Sequence, residues 1–350
     1  MRIDYTRYLW AKSTVDDRAI NQEVLGFLDE RLQEAGGRSA SINVADIGGG
    51  VGSMLLRLLR MRTSKWPHLE YTIIDIKHDL LKEARRVVQA QTINRIRKVS
   101  VEDVGKEPCV NSSSGSDSIS KHSEQSYSKV EDDLPSLKLT EVRVHFVLQD
   151  AVQHLLQSTD KYDLIIAASF MDLTSYSKIL PAVRQAVTPR NRLALMYAPF
   201  TFDGVTDLRP ASCEGNSFDR WVESQFHARM GEMFEEATPD QHIAGRRLLS
   251  ALREYDMRIR KCGSSSWVVH PEEDGYSQDE AYFLNCILTL IQGSISEGSG
   301  LDANIRERIT RSDLPCFFNF SCRTSEIRTR ELTSVFARDS TGTLAHEDCK

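Results

Sequence analysis

Asn43-Val-Ala-Asp-Ile-Gly-Gly-Gly-Val-Gly52 decides how the rest of the chain reads. Its first five residues are short and mostly apolar, which fits a parallel strand buried on both faces. The run Gly48, Gly49, Gly50, Val51, Gly52 then stands at the carboxyl end of that strand, where open α/β sheets bind ligands beside a topological switch point. Glycine there permits positive φ and lets a ligand approach the backbone where a side chain would block it.

The spacing separates two cofactor classes. A dinucleotide fingerprint wants its third glycine at position 53, but Ser53 stands there and the third glycine comes one residue early. Asp46, two residues before the first glycine, suits a cationic sulfonium and amino group, because a carboxylate beside a pyrophosphate is repelled.

Working outward, Tyr71-Thr-Ile-Ile-Asp75 reads as a second strand, with Ile76 beside its terminal Asp75. The two oxygens of Asp75 can accept both hydroxyls of an adenosine ribose, a device that dinucleotide enzymes share. Gln149-Asp150-Ala151 follows a third strand over 142–148 and supplies amide and carboxylate groups at the height of an adenine. Asp150 reads equally as the cap of a helix over 151–157.

Helices over 54–61, 79–91 and 176–187 alternate with strands over 162–168 and 192–197. Five such β–α repeats predict a doubly wound parallel sheet with right-handed crossovers. One amphipathic helix is expected over 16–32, with Thr14 as its cap, forming an N-terminal helical unit over 1–40. The main domain would then occupy 41–350. Residues of about 100–138 are serine-rich and poor in core formers, and read as a disordered insertion. The stretch 200–238 reads as a looser substrate-region insertion, followed by a helix over 239–255, a strand over 257–270, a helix over 279–293 and a last strand over 331–337.

The three stations at Asp46 to Gly52, Asp75 and Gln149 to Ala151 resemble the S-adenosylmethionine-binding motifs of the Rossmann-like class I methyltransferases, over residues 40–198. The resemblance implies a seven-stranded sheet with its last strand antiparallel and S-adenosyl-L-methionine as cofactor. It also implies that Gly48 and Gly50 face the methionine moiety, Asp75 the ribose and Asp150 the adenine. Gly49, Gly52, Ile76, Gln149, Ala151 and Ser169 join the expected cofactor site. Tyr8-Leu-Trp-Ala-Lys-Ser-Thr-Val-Asp-Asp-Arg18 and Ser265-Ser-Trp-Val-Val-His-Pro271 look like segments of uncharacterised bacterial-type members, which assigns no substrate.

Methyl transfer from a sulfonium is an in-line displacement, so alignment of the acceptor can supply much of the catalysis and a base is optional. Candidate groups are Asp172, which could also cap a helix; Tyr197, which could also be a core aromatic; and His270, which could also be a packed strand-end residue. Tyr5, Tyr8, Trp10 and Lys12 form a polar and aromatic segment that could cover the cofactor or stay loosely ordered.

The net charge of −6 lacks the basic footprint of a nucleic-acid binder, and a small-molecule acceptor is expected. Seven scattered cysteines, with no C-x-x-C pair, point to a reduced, cytoplasmic setting without a metal site. No membrane span is expected, and self-association stays open. The alternatives are an NAD(P)-dependent oxidoreductase, a methyltransferase acting on protein or nucleic acid, and a cofactor-binding scaffold without turnover.

Overall fold

The computed structural model describes residues 3–37, 39, 41–61, 66–91, 98–102, 141–159, 161–187, 193–209, 216–232, 243–271, 275–297 and 326–338. The strands are β1 (Ser41–Ile47), β2 (His68–Asp75), β3 (Lys98–Glu102), β4 (Glu141–Leu148), β5 (Leu164–Ile166), β6 (Leu195–Arg209), β7 (Met257–Val269) and β8 (Glu326–Arg338). The helices are α1 (Tyr5–Ala19), α2 (Gln22–Gly36), α3 (Ser53–Arg60), α4 (His78–Gln91), α5 (Ala151–Gln157), α6 (Tyr176–Ala186), α7 (Asn216–Glu232), α8 (Ala244–Glu254) and α9 (Gln278–Glu297).

Among the described residues the sheet has eight strands in the order β3-β4-β2-β1-β5-β6-β8-β7, which corrects the expected seven. The added member is β3, a parallel partner of β4 at one edge, inside the stretch read as insertion. Most of that stretch, 103–138, lies outside the described residues. From β3 to β6 every pairing is parallel. β8 runs antiparallel to both β6 and β7.

Period-two alternation along β1 divides the core. Ile42 and Val44 face a cluster with α2, α3 and α4, while Ala45 and Ile47 face one with α5, α6 and α8. Because β2 lies on one side of β1 and β5 on the other, the winding reverses at β1, and the crevice above its carboxyl end is the natural ligand site.

The single helix expected over 16–32 is two. The chain leaves helical geometry at Ile20 and Asn21, and Thr14 sits inside α1, donating to the Ala11 carbonyl (2.9 Å). Asn21 is the cap: its Oδ1 accepts from Val24 N (3.0 Å), its Nδ2 donates to Ser264 O (3.0 Å) and its own N–H to Ser265 Oγ (3.1 Å). One side chain thus starts α2 and fastens it to β7. Gly263 allows this approach, since a Cβ there would lie 2.5 Å from Asn21 Nδ2. The hydrophobic period runs straight through Asn21, which hides the break.

The expected strand over 192–197 also grows. β6 continues to Arg209 through irregularities at 198–201 and 202–205, because β8 pairs with it along that whole length. α7 then occupies much of the stretch read as loosened. Replacing Asn21 with Ala should lower unfolding free energy by about 1–2 kcal/mol, the usual loss for a cap with further bonds, measured by urea denaturation.

Candidate cofactor and acceptor site

Gly48, Gly50 and Gly52 all adopt left-handed φ, at +64°, +53° and +78°. They fold the chain tightly between β1 and α3: Gly49 N donates to Ile74 O (3.1 Å) and Gly52 N to Gly49 O (2.9 Å). A side chain at Gly48 would run into the Phe170 ring, so bare backbone is required there. Above Gly50, a Cβ would meet Leu9 Cδ1 of α1 at 3.3 Å.

Two carboxylates flank this turn. Asp46 is fully buried beneath it; its Oδ2 accepts from the Tyr71 hydroxyl (2.7 Å) and its Oδ1 has no hydrogen-bond partner. Burial, reinforced by the charge of Asp75, pushes its pKa up to about 7 against the opposing pull of Tyr71 and Arg57. Asp75 ends β2 at the rim: its Oδ2 accepts from Gly50 N (3.0 Å) and its Oδ1 from Lys77 N (2.8 Å). The turn itself therefore orients the carboxylate that the sequence assigns to a ribose.

Beside Asp75, two large apolar side chains stand in water: Ile76 is 66% exposed, and Leu148, in register with Asp75, is 56% exposed. Gln149 N donates to Asp75 O (3.1 Å), while its side-chain amide bonds Gln157 (2.8 Å) and His154 (3.1 Å). Asp150 caps α5 through Gln153 N (2.9 Å), and Ala151 is buried as the first residue of that helix. The capping reading of Asp150 is thus realised, with its carboxylate still at the strand edge.

α1 roofs the turn, and its polar residues tie it to the elements below. Trp10 Nε1 donates to Glu83 of α4 (3.1 Å), and the Lys77 ammonium lies 4.1 Å from the Tyr5 ring. From α3, Arg57 donates to Asp17 Oδ1 (2.6 Å) and Arg60 to Asp17 Oδ2 (2.9 Å). Its other side packs through Ala11 and Val15 on Trp267 and Val269 of β7 and Phe283 of α9. The segment read as covering or loose is an ordered helix. Arg57 carries no sequence signal at all, since its burial depends on α1.

On the far side of the turn, the short helical turn Met171–Leu173 follows β5. The Asp172 carboxyl is pushed up to about 6 by burial, while its own backbone amide and the Lys12 ammonium pull it down. Ser169 N donates to Pro199 O (2.9 Å), joining the segment after β5 to β6. Tyr197 does not reach this edge: it is wholly buried in the core with Tyr71 and Phe200, and burial raises its phenol. His270 also stands apart, exposed at the end of edge strand β7 with Nδ1 3.2 Å from Pro271 O. The structure brings Asp46, Gly48, Gly49, Gly50, Gly52, Asp75, Ile76, Gln149, Asp150, Ala151 and Ser169 to one sheet edge, and leaves Tyr197 and His270 outside it. Among the described residues no cluster of His, Cys, Asp and Glu could hold a metal ion, and no helix is long and apolar enough to cross a membrane.

No family model and no curated protein matches the chain. Among solved structures it is similar to a putative methyltransferase from Bacillus halodurans C-125, at 12% identity and a TM-score of 0.42, covering 89% of this chain and 99% of that one. A SAM-dependent methyltransferase from Thiobacillus denitrificans, in complex with S-adenosyl-L-homocysteine, gives 13% identity and a TM-score of 0.40 over 97% and 100% of the two chains. One from Geobacter sulfurreducens, with the same ligand, gives 12% and 0.39 over 94% and 98%. Likenesses this distant say nothing by themselves about activity. The sheet order is Rossmann-like on its own terms.

The buried acid generates a prediction. A carboxyl whose folded pKa is raised contributes stability below its unfolded pKa, and that contribution is lost as pH rises through the folded value. Asp46, moved from 3.8 to about 7, should therefore make the protein less stable at pH 8 than at pH 5 by up to about 2.5 kcal/mol. Asp46→Asn should flatten most of that decline in urea unfolding at the two pH values.

Proposed function

We propose that this protein is an S-adenosylmethionine-dependent methyltransferase whose acceptor is a small molecule. The observation that carries the reading is the pair of carboxylates, Asp46 beneath and Asp75 beside a left-handed glycine turn at the switch point. A diphosphate laid on this turn would meet the Asp46 carboxyl beneath it, and the Gly50 N–H it would need is already given to Asp75. A cationic sulfonium gains from the same field. NAD(P) binding is disfavoured on that ground as well as by Ser53.

The residues present fit such a donor. Asp75 would hold the ribose hydroxyls through its remaining lone pairs, and the exposed Ile76 and Leu148, with Gln149 and Asp150, would hold the adenine. The rest of the donor would lie along the turn at Gly48 and Gly50, whose missing side chains also make room for Phe170 and for Leu9 of α1. When bound, the donor supplies an electrophilic methyl group on sulfur. The protein's part is to align an acceptor in line with it, so a dedicated base is optional, and neither Tyr197 nor His270 is asked to serve as one. The roof that α1 forms, packed on β7 and α9, suits a small acceptor better than a polymer.

S-adenosylhomocysteine should raise the melting temperature in a thermal-shift assay and NADH should not; stabilisation by NADH alone defeats the reading. Asp75→Ala should weaken S-adenosylhomocysteine binding by about ten- to a hundredfold. Since a cation favours ionised Asp46, affinity for S-adenosylmethionine should rise by up to about tenfold from pH 6 to pH 8, and more steeply than that of S-adenosylhomocysteine, whose sulfur carries no charge. Transfer of labelled methyl from S-adenosylmethionine into the small-molecule fraction of an extract tests the acceptor class.

A further inference from the structure

We infer that the first half of α1, residues 5–10, is a gate on the glycine turn: it occupies backbone that the donor's amino-acid end needs, and donor entry swings it aside. The inference rests on the methyltransferase reading and adds to it a step that precedes the chemistry.

Both bare positions of the turn are covered. Leu9 Cδ1 stands 3.3 Å from where a Cβ of Gly50 would lie, and the Phe170 ring is closer still to that of Gly48. Each side chain thus touches glycine backbone directly. A methionine moiety laid along Gly48 and Gly50 needs the same space, since carbon atoms pack no closer than about 3.5 Å. The adenosine end meets no such obstacle: Ile76 and Leu148, at the ends of β2 and β4, stand open to water. One half of the donor's path is open and the other is shut.

α1 itself is built in two halves. Ala11, Lys12, Val15 and Asp16 are buried, whereas no residue from Asp4 to Trp10 is. In the second half, Lys12 Nζ donates to Asp16 Oδ1 (2.9 Å), Asp16 Oδ2 (2.8 Å) and Ser169 Oγ (2.8 Å). The same nitrogen lies 5.3 and 4.7 Å from the ring centres of Phe200 and Trp267. Moving this half would expose apolar surface and a buried ion pair, so it serves as the anchor.

The first half is held only from the rim. Towards α4 it has the Trp10 bond to Glu83 and the Tyr5 ring beside Lys77. Towards α9, Arg7 lies 4.0 Å from the Tyr282 ring centre, Asp4 N donates to the Tyr282 hydroxyl (3.3 Å), and Tyr8 stacks on Phe283 with centroids 5.8 Å apart. Contacts made by exposed or half-exposed side chains are weak, and a segment without buried side chains opens at a fraction of the cost of unfolding. The α4 latch also sits beside the open half of the path. Lys77 N donates to Asp75 Oδ1 (2.8 Å), so a ribose arriving at Asp75 works next to the residue that holds Tyr5.

A gate lowers apparent affinity by the fraction of time it stands open, and loosening it raises affinity. The test titrates S-adenosylhomocysteine, and adenosine, which lacks the amino-acid end, into the full chain, Leu9→Ala and the double variant Tyr5→Leu with Trp10→Phe. Both variants should bind S-adenosylhomocysteine about fivefold or more tightly, with faster association in stopped flow, while adenosine affinity stays within about twofold. Hydrogen exchange on the unaltered protein gives a readout independent of any variant: saturating S-adenosylhomocysteine should speed exchange at the amides of Tyr8, Leu9 and Trp10. Slower exchange there, or equal or weaker S-adenosylhomocysteine binding by both variants, overturns the gate and marks α1 as a cover that closes on bound donor. An equal gain for adenosine overturns it too, as a general loosening of the site. If neither ligand binds the unaltered protein or either variant, the methyltransferase reading falls and takes the gate with it.

Discussion

A buried acid beneath a bend of bare backbone constrains everything around it. Asp46 cannot reach water, so its charge depends on one phenol, on the guanidinium of Arg57 and on whatever cation approaches from above. Arg57 stays near because Asp17 of α1 holds it, and Asp17 also holds Arg60. Turn, roof and neighbouring strand are therefore linked electrostatically as well as by packing. Asp75 completes the arrangement by taking the Gly50 amide, so the geometry of the turn and the placement of the rim carboxylate are one hydrogen bond apart.

The two sides of the sheet edge have different chemistry. Towards β2 and β4 the surface is open and mixed, with exposed Ile76 and Leu148 next to carboxylates, as a planar heterocycle and a sugar would require. Towards β5 and β6 it is enclosed and aromatic, with Lys12 between Phe200 and Trp267. α1 touches both sides, through Tyr5 and Trp10 on one and Lys12 on the other.

Much of the first side was legible in the residues, because its signals are local. The strand into the glycine turn, Asp75 at a strand end and the helix that starts at Ala151 each follow from a few consecutive residues. The second side was not legible, because its contacts join distant segments. Lys12 and Asp16 have the i, i+4 spacing of an ordinary exposed pair, and only α1's docking on β7 buries them. Tyr197 carries the same side chain that an active-site wall would use, and only burial tells the two roles apart. Asn21 starts α2 inside an apolar period that continues across it, so the break between α1 and α2 leaves little mark in the pattern. β6 grew past its apolar stretch because a strand more than a hundred residues later pairs with it.

That late pairing bears on how the molecule comes to be made. β6, β7 and β8 lie at 195–209, 257–269 and 326–338, and β8 stands between the other two. A chain emerging from the ribosome can pair β1, β2, β4 and β5 early, whereas the far edge stays unzipped until the final strand inserts. Trp267 lies on that edge, so the enclosure around Lys12 is finished last. A nascent or truncated chain would own the open side of its crevice, next to β2 and β4, before it owned the enclosed side next to β5 and β6.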